Sequence, residues 1–306
     1  MRLTSIAFVF ASLIGCTHGV LDDGPPATFD TPADATAWTS ASAPRLIFAV
    51  VLAYAAADAN ASLSGETCPA KAVSGTTTTF TGGCTDMKGR MWIGTASVVD
   101  EADRSGSYNY DGFGYTGPKE CQGASYTTSL KVDGGMTMTS SGDVGTFDID
   151  LEQEGTGVSD ADCTTLHDTF AIQYTGTVRP TGVDANGDGD LDDDLYNGSG
   201  KVGSTLRGVA SAKTENELIS RATCQDEAAS GTTTLEAGGH TMVIRYDGAT
   251  DCDAESTVTW TYDGVDRGEL SGVDCSAGRS GSASALLWIG AIVLAMRRRR
   301  RGATPR

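Results

Sequence analysis

Asp184, Asn186, Asp188, Asp190 and Asp192 recur at every second position of one stretch, with Gly189 at its sixth place. Oxygen donors alternating along a chain that turns sharply at glycine suit calcium (Ca2+), which accepts six to eight oxygens in irregular geometry. Magnesium would demand a stricter octahedron. The expected ligands are the side chains of Asp184, Asn186, Asp188 and Asp192, with Asp190 contributing its carbonyl. Left empty, so many carboxylates would repel one another, and a bound cation would relieve that and hold the turn closed. Leu195 stands at the twelfth place, where a bidentate Glu would strengthen the site. Affinity is therefore expected near 10⁻⁴–10⁻³ M, roughly that of extracellular calcium modules. The competing reading is a solvated acidic hairpin tip.

The spacing resembles the Asp-x-Asn-x-Asp-Gly-x-x-Asp loops of β-hairpin calcium sites, as in integrin-type propeller repeats. It departs from the EF-hand both at Leu195 and in its flanks, which read as strands rather than helices.

Cysteine is the other residue type with chemistry to offer. The chain has 8 cysteines. Cys16 and Cys275 sit in the two terminal segments, leaving Cys68, Cys84, Cys121, Cys163, Cys224 and Cys252. An even set in an exported chain reads as disulfides. Sequential pairing, Cys68 with Cys84, Cys121 with Cys163 and Cys224 with Cys252, is the expectation. No CxxC pair occurs among the six and the chain has only 3 histidines, which argues against zinc. His167, in a Thr/Asp-rich stretch, and His240 read as structural turn residues. With every cysteine assigned to a bridge or a terminal segment, no thiol nucleophile is left. There is no Gly-x-Ser-x-Gly elbow, phosphate loop or His-Glu-x-x-His. A pair of carboxylates acting on polysaccharide is the alternative function, but nothing singles out two of the 40 acidic residues.

All 40 acidic residues but only 14 of the 22 basic ones lie between positions 17 and 275, so that segment carries a net charge of −26. Such a field makes nucleic acid a poor partner and favours cations.

Residues 1–16 place Arg2 before an apolar stretch from Ile6 to Ile14 and end in Leu13-Ile14-Gly15-Cys16. That is the layout of a secretory signal peptide, and its end resembles a bacterial lipobox. The resemblance implies cleavage before Cys16 by a lipoprotein-processing protease and a diacylglycerol on its thiol. Thr17, in place of Asp, fits outer-membrane sorting by the same family rule. Residues 275–306 run from Cys275 through a Gly/Ser/Ala spacer into the uncharged segment Ala285 to Met296, then Arg297 to Arg301. With its spacer, this segment would reach roughly 24 Å as a helix, short of a bilayer core unless the arginines snorkel. The arrangement resembles the MYXO-CTERM sorting signal of myxobacterial surface proteins. That resemblance implies processing near Cys275 by a sorting protease and retention at the outer membrane or cell surface.

These residues need a scaffold. Residues 17–43 are rich in Pro, Asp and Thr without periodicity, and read as a disordered tether. Pro44 opens an apolar, alanine-rich run, so 44–63 reads as a helix too short to span a membrane and buried against a sheet. Across 64–274 the alternation is of period two: Phe147, Ile149 and Leu151 against Asp148, Asp150 and Glu152, and Val258, Trp260 and Tyr262 against threonines. This predicts a mostly β fold, an antiparallel hairpin-rich meander wet on one face. Gly-Gly pairs at 82–83, 134–135 and 238–239 are expected hairpin turns. Cys68 and Cys224 each precede a Ser-Gly-Thr-Thr-Thr and a Gly-Gly at matching offsets. The match suggests degenerate repeats of about fifty residues, with Thr/Gly drift as the competing explanation. The function expected is that of a surface-anchored, non-enzymatic lipoprotein with a structural, adhesive or binding role.

Overall fold

The period-two alternation becomes one antiparallel sheet of 14 strands. The computed structural model describes residues 19–101, 105–181, 194–219, 228, 230–246 and 258–270. The first strands are β1 (Ala70–Ser74), β2 (Thr77–Thr81), β3 (Cys84–Thr85), β4 (Met91–Asp100) and β5 (Gly106–Cys121). The long central strands follow, β6 (Ala124–Ser141), β7 (Val144–Val158), β8 (Thr165–Pro180), β9 (Asp194–Ser204) and β10 (Gly208–Ile219). The last are β11 (Ser230–Ala237), β12 (His240–Tyr246), β13 (Thr259–Tyr262) and β14 (Val265–Glu269). Neighbours follow chain order, except that β3 pairs only with β4, and β1 and β14 are left as open edges.

Register sorts the side chains into two faces. One row across the strands reads Tyr108, Met136, Ile149, Tyr174, Gly200, Ala212, Leu235 and Met242. The neighbouring row reads Asn109, Gly135, Asp150, Gln173, Lys201, Ser211, Glu236 and Thr241. The first row faces the core and the second faces water, because successive residues of a strand point to opposite faces. Turn chemistry supports the meander. Gln122-Gly123, Gly238-Gly239 and Asp263-Gly264 have positive φ at both residues, the type I′ geometry whose twist matches paired strands.

Alternate turns collect at two ends of the sheet. The turns at 122–123, 159–164, 205–207, 238–239 and 263–264 share one end. The turns at 75–76 and 142–143 lie at the other, with the facing residues Pro180 and Asp194.

The apolar run predicted at 44–63 is helix α3 (Ala43–Ala61), with Ala43, Leu46, Val50, Ala53 and Ala57 buried in the core that the sheet encloses. It touches β1 and each strand from β5 to β10, so the sheet wraps around it. Its first turn is capped from outside the helix. Ser42 gives no side-chain cap; instead the Ala43 N–H donates to Thr214 Oγ1 at 2.9 Å. No single helix among the described residues is long and apolar enough to cross a membrane.

Three expectations are corrected. The stretch 17–43 is not a loose tether over its described part. It forms α1 (Gly19–Asp23) and α2 (Pro32–Trp38), then a short 3-10 turn at Thr39–Ala41. Leu21, Phe29, Ala35 and Trp38 are buried, and Thr31 caps α2 by accepting from the Asp34 N–H. Pro32 opens α2, Asp34 bonds its capping Thr31 and Pro26 bridges to Val209, while Phe29, Ala35 and Trp38 reach the core.

The second correction concerns glycine pairs. Only Gly238-Gly239 is a hairpin turn. Gly82-Gly83 joins β2 to β3 and donates to β4 carbonyls. Gly134-Gly135 lies inside β6, where Cβ atoms would come within 2.1 Å of the Asp150 oxygen and 1.8 Å of the Tyr108 oxygen. Close strand approach, not reversal, requires glycine there.

The third concerns the sequence echo. Gly75 turns the β1–β2 hairpin, whereas Gly231, its counterpart, lies within β11. The threonine runs that follow are strands in both copies, β2 and β11, each followed by its Gly-Gly, so the copies differ at this glycine and agree after it.

Two disulfides are present among the described residues. Cys68–Cys84 ties the start of β1 to β3, and Cys121–Cys163 ties the end of β5 to the β7–β8 turn. They close separations of 16 and 42 residues, each worth about 3–4 kcal/mol in the chain-entropy account. Cys224 and Cys252 lie outside the described residues.

Candidate functional site

The calcium ligands expected at Asp184, Asn186, Asp188, Asp190 and Asp192 lie outside the described residues, as do Cys16 and Cys275. What flanks the acidic stretch is described: β8 and β9 pair antiparallel up to Pro180 opposite Asp194. The two ends of that connection are thus held side by side, as a hairpin requires. Among the described residues no group of three His, Cys, Asp or Glu side chains is arranged to hold a metal ion.

The histidines separate. His240 opens β12 beside the Gly238-Gly239 turn, shares a 2.8 Å hydrogen bond with Asp263 and stacks on Tyr262 at 5.3 Å. His167 lies on β8, not in a loop, with Nδ1 3.1 Å from Thr156 Oγ1. Glu154 Oε1 lies 3.8 Å from the other ring nitrogen of His167, and both histidines are exposed.

The strongest polar perturbation was not legible in the sequence. Along β10, Ala210, Ala212 and Thr214 face inward in regular alternation. The register shifts between Thr214 and Glu217 against β9 and between Glu215 and Leu218 against β11, with Asn216 at φ 51°. This bulge inserts an extra residue and turns Glu217 into the core, where it is 1% exposed. Gly231 accommodates it from β11: a Cβ there would lie 2.5 Å from both the Asn216 oxygen and the Glu217 Cα.

Burial pushes the Glu217 carboxyl up to about 7, while the Arg45 guanidinium and the Ser42 and Thr233 hydroxyls pull it back toward the ordinary value. Glu217 Oε2 has no hydrogen-bond partner among the described residues. Burial also drives the neighbouring Tyr246 hydroxyl up, and the charge of Glu217 adds to that effect. Next to this group, Tyr174 and Thr214 exchange hydrogen bonds of 2.9 and 3.0 Å, and burial pushes the Tyr174 hydroxyl up to about 12. Glycine makes room for these aromatics. Gly176 and Gly198 face each other, and the rings of Phe147 and Tyr174 lie where their Cβ atoms would be.

No family model, curated protein or solved structure matches this chain.

A second buried carboxylate sits at the other end of α3. Asp86 accepts from the Trp92 indole at 2.9 Å, from the Arg90 guanidinium at 2.7 Å and from the backbone N–H groups of Lys88 and Arg90. Burial alone would raise its pKa. The indole, the Arg90 backbone and the Arg90 charge outweigh burial and hold the carboxyl below its usual range. Arg90 also stacks on Trp92 and Tyr115 and donates to Asn60, whose amide in turn donates to the Cys68 carbonyl. This network locks the end of α3 to the β3–β4 turn beside a disulfide. It is fully engaged in structure.

The outer face carries a shallow depression of about 500 Å³ over β6, β7 and β8, lined by Thr137, Thr139, Thr146, Asp148, Thr175 and Thr177. It offers hydroxyls and one carboxylate. The hydrolase alternative needs two carboxylates flanking one bond, and Asp148 has no acidic partner in that lining.

Proposed function

We propose that this chain is a surface-anchored, non-enzymatic β-rich lipoprotein with a structural, adhesive or binding role. The observation that carries the reading is the use of the sheet's two faces. The inner face is filled by α3, Phe29 and α2 of the same chain, and α1 covers only the part of the outer face at Gly203 and Val209, leaving its broad Thr-, Asp- and Glu-rich remainder to meet other molecules. The acidic excess and the disulfides suit an exported, oxidising setting. A lipid on Cys16, processing near Cys275 and a third bridge between Cys224 and Cys252 complete the proposal.

Intact-mass analysis of the membrane-extracted protein tests the processing. The expected mass lacks residues 1–15 and the arginine cluster, carries a diacylglycerol, and gains six hydrogens on reduction. Protease treatment of intact cells should remove the protein. Protection until the outer membrane is broken would sink surface display, and release of new reducing ends from polysaccharide would return the protein to the hydrolases.

Calcium belongs to the same proposal, held by Asp184, Asn186, Asp188 and Asp192 side chains and the Asp190 carbonyl. With a Kd near 10⁻⁴ M, about 3 mM calcium would add roughly 2 kcal/mol by linkage, raising Tm by about 4–8 °C. Asp188→Ala should abolish that shift while leaving the calcium-free melt unchanged. An equal shift in the variant would reduce the stretch to a solvated turn.

A further inference from the structure

The structure fixes which end of the sheet meets the membrane. We propose that the end bearing the 205–207 and 263–264 turns lies against the lipid surface and the end bearing the 142–143 turn projects away from it. The proposal rests on the lipid-anchor reading of Cys16.

Gly19, the first residue of α1, follows Cys16 by three positions. Three residues span at most about 11 Å even when fully extended. The chain is held from that point on. Leu21 is buried against Gly203. The Val209 N–H donates to the Pro25 carbonyl at 2.8 Å, and the Ala27 N–H donates to the Val209 carbonyl at 2.9 Å. Pro26 pairs in parallel with Val209, so this strap runs in the direction of β10, away from the 205–207 turn. Gly208 permits the clasp, at φ 83°, where a Cβ would meet the Pro25 oxygen at 2.6 Å. Val20, next to Gly19, and Leu21 both meet Gly203, two residues before the 205–207 turn, so a lipid on Cys16 is held to that end of the body.

Exposed apolar side chains are more numerous at this end than at the far one, where Val73 and Val144 are exposed. Leu206 is 54% exposed in the β9–β10 turn, Val265 57% beside the β13–β14 turn and Met87 64% in the β3–β4 turn. Met91, 52% exposed, starts β4 opposite Thr116, toward the same end of β5. With a net charge of −26 on the segment between 17 and 275, anionic headgroups offer it no attraction. The contact that fits is apolar side chains at the boundary between headgroups and acyl chains, secured by the anchor. The far turn at 142–143 stands about 30 Å from the level of Ser204, which pairs through Phe170 with Gln153, nine residues along β7 from Val144.

The test places a photoactivatable benzophenone side chain at position 206 or at position 143 of the full chain, expressed in cells whose phospholipids are radiolabelled. After illumination, lipid cross-linked to protein is counted, and the mass of the same preparation reports whether Cys16 is acylated. Cross-linking from 206 should exceed that from 143 by about tenfold, given the length of the strands between them. Acylated protein that cross-links equally or better from 143 overturns the orientation and leaves the anchor standing. Protein without lipid on Cys16 overturns the anchor reading, and the orientation with it.

Discussion

At pH 8 the Glu217→Gln variant should melt about 6–12 °C above the parent protein, and near pH 4.5 the two should nearly coincide. The reason is the inward turn of Glu217 at the β10 bulge. Its carboxyl titrates at 4.5 when solvated and at about 7 in the fold, with burial as the main cause. The folded state therefore holds the proton over a range where the unfolded state has released it. Stability from this group is fully present below pH 4.5, falls as pH rises, and is lost once pH passes about 7. The full loss is roughly 3 kcal/mol, from the size of the shift. Glutamine cannot ionise, so the variant escapes that loss and gains most where the parent is charged. Groups facing the carboxyl are Arg45 from α3, Ser42 at its start, Thr233 from β11 and Tyr246 from β12. The measurement is the difference in Tm between variant and parent from pH 4 to pH 8. A constant offset across that range would show that Glu217 is ionised alike in both states.

Trp38→Ala should cost about 3–5 kcal/mol, the range for emptying a large aromatic site in a packed core. Trp38 is 3% exposed and meets Phe29 edge to face at 5.9 Å. It belongs to the same buried core as α3. For a body of this size the loss corresponds to a fall in Tm of about 6–20 °C. Thermal melts of the full chain decide the matter, with Ala33→Ser, exposed on the same helix, as the control. If the stretch before α3 were a tether, Trp38→Ala would melt with the parent, so an unchanged Tm would remove the strap from the core.

Both predictions rest on residues whose surroundings come from distant parts of the chain. What the sequence determined alone is what depends on near neighbours. Phe147, Ile149 and Leu151 alternate with acids, and that period places a strand and its wet face whatever lies beside it. Pro44 and the alanine-rich run after it favour helix from within. Sequential pairing of Cys68 with Cys84 and of Cys121 with Cys163 joins short separations, which a hairpin meander readily brings together.

Tertiary structure decided the rest. Leu21, Phe29 and Trp38 show no period, because the strap is ordered by the sheet it covers rather than by its own hydrogen bonds. The N–H that begins α3 finds its acceptor on Thr214, 171 residues later. Lys213-Thr-Glu-Asn-Glu217 reads as a solvated strand edge, and only one inserted residue, accommodated by glycine on β11, puts its last carboxylate indoors. Gly134-Gly135 carries the letters of a turn but meets strands on both sides, and close packing across them explains both glycines. Local propensity is written in adjacent residues. Burial belongs to whichever surfaces the whole chain brings together, and no short stretch of this sequence contains both.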